Sequence, residues 1–121
     1  MARKKSPGIQ SSTVQFGSGV PAFRALPRAK GKRPAVILLH ERYGVVRHTQ
    51  DLTVKLAEAG YVGLAPDLFH RFAGDKKALV RGDVRVEMRD SEALQDLGEA
   101  VEYLKRFYVV DFLWVVVVGI C

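Results

Sequence analysis

Short apolar runs alternate with polar loops and helical periodicity in the middle of the chain. Residues 35–39 are apolar and mostly branched and follow a proline, which is typical of a strand buried on both faces of a parallel sheet. Residues 47–59 have helical periodicity, and Gly60 follows where a left-handed helix end favours glycine. The apolar face predicted for this helix comprises Leu52, Leu56 and Ala59. Residues 61–65 are predicted to form the next strand.

Polar residues follow both of these strands. A strand, a helix and a strand this close together predict a right-handed parallel unit, in which both carboxyl ends lie at one edge of the sheet. His40, Glu41 and Arg42 follow the first strand, and Asp67 follows the second. Because ligands bind beyond the carboxyl ends of such strands, we place the candidate site at this edge.

The N-terminal part predicts an edge hairpin. Residues 1–11 are predicted to be a disordered basic N-terminus, which leaves 12–121 as the domain. Apolar positions alternate over 13–16 and recur over 22–26, with Gly17, Ser18 and Gly19 in the intervening turn. This pattern favours an antiparallel hairpin at the edge of the sheet.

The C-terminal part predicts a helix and a strand. Residues 69–88 are arginine-rich and predict a loop with one short helix, after which Asp90 is a candidate helix cap. The next helix has apolar positions that step by three and four: Leu94, Leu97, Val101, Leu104 and Tyr108. Residues 113–118 are strongly β-prone and predict a central parallel strand. The fold class is therefore α/β, with a mostly parallel sheet and an N-terminal antiparallel hairpin.

Composition narrows the possible partners. The chain has 121 residues, of which 48% are hydrophobic and 26% charged, and this composition is typical of one globular domain. Its net charge of +6 is concentrated locally, at Arg3–Lys5 and over 28–33. We expect no nucleic-acid partner, because no aromatic residues lie between these charges. A single cysteine excludes an internal disulfide and favours a reducing, cytoplasmic compartment. No apolar run is long enough to span a membrane, and no membrane association is expected.

The final strand leads into Gly119-Ile120-Cys121. This is the first half of a nucleophile elbow, in which flanking glycines permit a tight turn that presents the nucleophile above the sheet. The alternative for Cys121 is a buried, unreactive cysteine at a strand end. The reactive form is the thiolate, and a lone carboxylate nearby opposes its formation, so a histidine is needed as base. Among the histidines of this chain, His40 is the first candidate for a replacement base.

The other polar groups have simpler interpretations. His40-Glu41 lacks the second histidine that the H-E-x-x-H zinc motif requires, so we expect neither a metal nor another cofactor. Asp67 is expected to accept hydrogen bonds from nearby backbone amides. Glu41 is either a site carboxylate or a surface group paired with Arg42 or Arg47.

The segment HERYGVVRHTQDLTVKLAEAGYVGLAPDLFHR, followed downstream by VVVVGIC, resembles the dienelactone hydrolase family (carboxymethylenebutenolidases) of the α/β-hydrolase superfamily. The resemblance implies hydrolysis of an ester or lactone through a cysteine nucleophile. By position, Cys121 matches that nucleophile, Glu41 the glutamate beside it, and the backbone N–H of Arg42 an oxyanion-hole donor. The family's catalytic Asp and His have no counterpart here, so the chain is expected to be truncated at the nucleophile. Arg81 is a candidate to bind a substrate carboxylate, against the alternative of a solvated basic loop.

Two functional hypotheses follow. The first is a hydrolase segment with weak or no turnover, because base and nucleophile act as a unit. The second is a non-enzymatic basic interaction module or a partner-dependent half-domain. Under that hypothesis the strand at 113–118 is an exposed apolar edge through which the chain could self-associate.

Overall fold

A computed structural model describes residues 8–107 and 110–119, which form one five-stranded sheet and three helices. The strands are β1 (Ile9–Phe16), β2 (Val20–Pro27), β3 (Arg33–Leu39), β4 (Val62–Pro66) and β5 (Val110–Gly119). The helices are α1 (Arg47–Glu58), α2 (Lys76–Arg81) and α3 (Asp90–Arg106). In these ranges no helix is long and apolar enough to cross a membrane.

The strand order β1-β2-β4-β3-β5 confirms the predicted fold class. β3 pairs in parallel with β4 on one side and with β5 on the other. β1 and β2 form the predicted antiparallel hairpin at the sheet edge, and β2 pairs antiparallel with β4. β5 is parallel, as predicted, but it is the outer strand of the described sheet and not a central one. The carboxyl ends of β3, β4 and β5 therefore share one edge.

The two faces of the sheet bury two separate apolar layers, because successive strand residues point to opposite faces. Ile37 and Leu64 belong to the layer that packs on Ala100 and Leu104 of α3. Leu38 and Ala65 belong to the layer that packs on Val54 and Ala57 of α1. β3 and β4 are thus covered on both faces, which explains their nearly unbroken apolar sequences.

Helix α1 packs on the sheet only partly through the predicted face, since Leu52 and Leu56 contact the apolar layer but are not its most buried residues. Its buried residues are Thr49, Thr53, Val54 and Ala57, whereas Leu52 and Leu56 are half-buried and Ala59 is exposed. A Cβ atom at Gly63 of β4 would lie 2.8 Å from the Thr53 carbonyl oxygen. The missing side chain at Gly63 lets α1 approach the sheet closely, so short threonine side chains occupy the contact.

Two element boundaries and the exposure of one residue also differ from the sequence predictions. β1 begins at Ile9, within the segment predicted to be disordered, and residues 1–7 lie outside the described ranges. Asp90 is the first residue of α3 and not its cap, since the cap position is Arg89. On α3 the predicted apolar residue Leu94 is exposed, while Leu104 is buried as expected, and Tyr108 is outside the described residues.

A glutamate of α3 caps the turn of the hairpin. The carboxylate of Glu99 accepts hydrogen bonds from the Ser18 backbone N–H at 3.2 Å and from the Ser18 hydroxyl at 3.0 Å. Gly17 in the same turn has φ +56°, and a side chain there would collide with Glu99. This contact joins the turn of the hairpin to helix α3.

The close contact at Gly63 gives a stability prediction. Gly63→Ala should destabilise the protein by about 1–3 kcal/mol, because the added methyl group meets backbone that cannot move freely. Gly98→Ala is the matched control: a Cβ at this exposed position of α3 meets nothing within 4 Å, and the change should stabilise by about 0.5–1 kcal/mol. Urea unfolding of the two variants measures both effects, and equal stabilities would contradict the packing argument.

Candidate active site

The loop after β3 turns sharply at the carboxyl edge of the sheet. Gly44 has φ +85°, a conformation that glycine adopts without strain, and its N–H donates to the Glu41 carbonyl oxygen at 3.1 Å. Val46 N–H in turn donates to the Gly44 carbonyl, and α1 begins at the next residue. The backbone N–H of Arg42 has no acceptor among the residues of 8–107 and 110–119. An N–H without such an acceptor can donate a hydrogen bond to water or to a ligand.

His40 joins the ends of β3 and β4. Its Nδ1 lies 2.7 Å from the Glu41 carbonyl oxygen, and its Nε2 accepts a hydrogen bond from the Leu68 N–H at 3.0 Å. The ring also packs edge-on against Phe69, with centroids 4.5 Å apart. Both ring nitrogens therefore have hydrogen-bond partners in this arrangement, and a role of His40 as a replacement base stays a prediction.

Asp67 stabilises the turn after β4. Its carboxylate accepts a hydrogen bond from the Phe69 N–H at 2.9 Å, which confirms the predicted backbone role. Its own N–H donates to the Pro21 carbonyl at 2.8 Å and so links the turn to β2. No group of three or more metal-ligating side chains occurs in the part of the chain that the structure describes.

The side chain of Arg42 connects the loop to α2. Its guanidinium donates to the Gly82 carbonyl oxygen and lies 5.2 Å from the centre of the Tyr43 ring. Gly82 ends α2 with φ +82°, and a Cβ there would lie 2.9 Å from Tyr43. The end of α2 therefore packs directly on the candidate site loop.

The two predicted catalytic side chains follow paired strand ends. Leu39 of β3 lies opposite Gly119 of β5 in parallel register, and Glu41 is half-buried just beyond Leu39. Cys121 lies outside the described residues. Of the proposed partners of Glu41, Arg47 pairs with Asp51 at 3.8 Å, and within the described ranges Glu41 forms no salt bridge.

Arg81, the candidate carboxylate-binding residue, is near the end of α2. Its side chain is largely exposed and pairs with Asp83 at 2.8 Å. The interpretation of Arg81 as a solvated residue and its interpretation as a ligand residue both fit this position.

The sequence analysis missed Asp96, a fully buried carboxylate on α3. It accepts two hydrogen bonds from the Arg71 guanidinium, at 2.8 and 2.9 Å, and lies 3.1 Å from His70 Nε2. Asp96 occurs four and eight residues before Ala100 and Leu104, which are also buried. A lone aspartate on the buried stripe of a helix, with His70-Arg71 elsewhere in the chain, could have revealed this network.

The network further stabilises the charged form of Arg71. The hydrogen bond to Asp96 raises the pKa of the Arg71 guanidinium above its usual value; partial burial opposes this rise, and the charges of Asp96 and Glu92 add to it. A raised pKa stabilises the folded state at lower pH, and that contribution is lost only as the pH rises through the raised value. This value lies far above neutral pH, so the guanidinium of Arg71 is charged under ordinary conditions.

The strand order, with an antiparallel N-terminal hairpin and a polar loop after β3, defines the N-terminal half of an α/β-hydrolase fold. Residues 20–121 match the model of the dienelactone hydrolase family. The chain belongs to this family.

Known proteins agree with this assignment. The chain is 32% identical over 107 residues to a Methylorubrum extorquens protein named "Putative carboxymethylenebutenolidase", with 84% of this chain and 36% of the relative covered. It is 37% identical over 108 residues to a Salmonella typhi protein of the same name, with 84% and 39% covered. The Klebsiella pneumoniae crystal structure called "Putative Dienelactone Hydrolase" superposes with a TM-score of 0.80 at 29% identity, over 93% of this chain and 50% of that one. The chain thus spans half or less of these relatives.

The Asp96 network gives a second prediction. Asp96→Asn should destabilise the protein by about 1–3 kcal/mol, since a buried carboxylate that accepts hydrogen bonds from Arg71 and His70 is lost. Glu92→Gln is the control, because Glu92 contacts the same arginine from a partly exposed position. The free energy of unfolding of this variant should hardly differ from that of the wild type. Thermal and urea unfolding measure the stabilities of the two variants. Equal effects of the two changes would show that the buried carboxylate contributes no more to stability than the partly exposed one.

Proposed function

We propose that the chain carries the nucleophile half of an ester or lactone hydrolase, with Cys121 as nucleophile, Glu41 beside it and the Arg42 N–H as an oxyanion donor. The observation that carries this proposal is the parallel register of β3 and β5, with Leu39 opposite Gly119. Glu41 and Cys121 each follow these paired positions by two residues in the sequence. Family membership supports the reaction class.

The proposed chemistry is acyl transfer to the thiolate. The sulfur forms a bond to the acyl carbon, and the carbonyl π electrons move to oxygen, where the Arg42 N–H donates a hydrogen bond to the oxyanion. Collapse of this intermediate expels the alcohol or phenol oxygen with its bonding electrons and leaves a thioester. Water then hydrolyses the thioester and regenerates the thiol.

Turnover by this chain is proposed to be weak. A triad requires a histidine that accepts the proton of the thiol, and His40 is occupied by the Glu41 carbonyl and the Leu68 N–H. Arg81 is proposed to bind a substrate carboxylate, because its guanidinium is exposed and can exchange Asp83 for a ligand. A cytoplasmic location, inferred from the single cysteine, stays a prediction.

The test is acylation of Cys121 by p-nitrophenyl acetate, followed by p-nitrophenolate release and by peptide mass spectrometry. We expect one acetyl group on Cys121, turnover several powers of ten below that of a complete triad, and no modification at that position in Cys121→Ala. Glu41→Gln should accelerate acylation at neutral pH by roughly threefold to tenfold, because a nearby carboxylate opposes thiolate formation.

Glu58→Gln is the matched control for the Glu41 variant. Glu58 ends α1 and is exposed at the opposite edge of the sheet, so its loss should leave the acylation rate unchanged. An unreactive Cys121 would refute the proposal, and equal effects of the two glutamine variants would refute the pairing of Glu41 with the thiol.

The second candidate function, a partner-dependent half-domain, rests on the outer edge of the sheet. In the described strand order β5 has no neighbour beyond it, and its Val117 and Val118 are 48% and 42% exposed. Val118 also lines an apolar groove of about 420 Å³ together with Leu38, Leu52 and Leu56. We propose that a second copy of this chain pairs with the edge at 113–118, because unpaired parallel edges with apolar side chains favour strand addition.

Association should depend on this edge. Wild-type protein should show concentration-dependent association in sedimentation velocity, and Val117→Lys should weaken it about tenfold or more by placing a charge on the pairing surface. Leu94→Lys is the control, since Leu94 is an apolar residue of α3 that is 68% exposed and does not belong to the β5 edge. A wild-type monomer that unfolds cooperatively at high concentration would exclude the second copy as occupant.

A further inference from the structure

The two hydrogen bonds of His40 determine its protonation. A carbonyl oxygen can only accept a hydrogen bond and a backbone N–H can only donate one. Nδ1, at 2.7 Å from the Glu41 carbonyl oxygen, therefore carries the proton, and Nε2, at 3.0 Å from the Leu68 nitrogen, is unprotonated. The side chain is 1% exposed, so water does not compete for either nitrogen. His40 is thus a neutral imidazole in a single tautomer.

Asp67 does not change this assignment. One of its carboxylate oxygens is 3.9 Å from His40 Nε2, beyond hydrogen-bonding distance, and the same oxygen accepts from the Phe69 N–H at 2.9 Å. An ion pair with Asp67 would require a proton on Nε2, and this proton would replace the hydrogen bond from Leu68.

The Glu41 carbonyl and the Arg42 N–H belong to the same peptide group. A peptide group is planar and trans, so its carbonyl oxygen and its N–H point in opposite directions. His40 Nδ1–H and the Gly44 N–H both donate to this carbonyl, at 2.7 and 3.1 Å. With both lone pairs occupied, the carbonyl end is fixed and the Arg42 N–H is directed away from these two donors. This N–H has no acceptor in the described part of the chain.

We propose that His40 is a positioning residue that orients the Glu41–Arg42 peptide group so that its N–H faces the reacting carbonyl oxygen of an ester. The role of this N–H in catalysis rests on the proposed function, whereas the orientation of the peptide group rests on the hydrogen bonds of His40. Two donors on one carbonyl also polarise the peptide group, which strengthens its N–H as a donor. The side-chain contact of Arg42 with the Gly82 carbonyl holds the next residue of the loop.

Three substitutions separate the two hydrogen bonds of His40. His40→Asn keeps a donor near the position of Nδ1 and loses the acceptor for Leu68. His40→Gln can place an oxygen near the position of Nε2 and loses the donor to Glu41. His40→Phe removes both and keeps a ring against Phe69. His48→Phe is the control, since His48 is exposed in the first turn of α1.

The orientation is tested on the whole chain without any reaction. The ¹⁵N spectrum of the imidazole should show the neutral Nδ1–H form. Amide hydrogen exchange at Gly44 should be about tenfold faster in His40→Phe and His40→Gln, as expected when a supporting hydrogen bond is lost, and near wild type in His40→Asn and His48→Phe. An Nε2–H tautomer, or unchanged Gly44 exchange in His40→Phe, would overturn the proposal.

The acylation assay supplies the functional readout. Acylation of Cys121 should fall about tenfold or more in His40→Phe and His40→Gln and be restored in His40→Asn, a pattern that a general loss of stability would not produce. Equal losses in all three variants would reject positioning in favour of a structural role. If wild-type Cys121 is not acylated at all, the proposed function fails, while the exchange and ¹⁵N results still decide the orientation of the peptide group.

Discussion

The parallel pairing of β3 with β4 and β5 is the constraint on which the candidate site depends. It aligns three carboxyl ends at one edge, because Ile37 of β3 lies opposite Leu64 of β4 and Leu39 of β3 lies opposite Gly119 of β5. The loop of His40–Gly44 therefore begins from a fixed point. Within the loop, Gly44 turns the chain with a positive φ, and the His40 imidazole binds the Leu68 N–H just after β4.

Much of the site is built from groups that do no proposed chemistry. His40, Asp67 and the Gly82 carbonyl each connect the loop or its neighbour to another element. Asp96 of α3 also connects two elements, because its buried carboxylate binds Arg71 and contacts His70, both of which follow β4. A loop supported from several sides can present one backbone N–H without adjustment, and such preorganisation is what stabilises developing charge.

The sheet was predictable from sequence because its strands are short, apolar and bounded by turns. The hairpin, the parallel unit and α2 all followed from local patterns, and the carboxyl-edge position of Glu41 and Arg42 followed from the order of elements. The close packing of α1 through Thr53 could not be predicted, because it depends on Gly63 in another strand. A glycine in β4 does not by itself indicate which face of a helix packs on it. The hydrogen bonds of the two His40 nitrogens could not be predicted either, because one partner, the Leu68 N–H, lies beyond the next strand. Asp96 could have been suspected from its helical spacing, but its partners could not.

The sheet order has a consequence for synthesis of the protein. The hairpin of β1 and β2 precedes the other described elements in the chain, and its sheet partner β4 follows only after β3 and α1 have been made. The residues that cap its turn, on α3, are made later still. Until β4 is made, one edge of β2 therefore has no strand partner, and contacts this far apart in the chain form slowly. We expect β2 to be exposed to misfolding and aggregation until α1 and β4 have been synthesised.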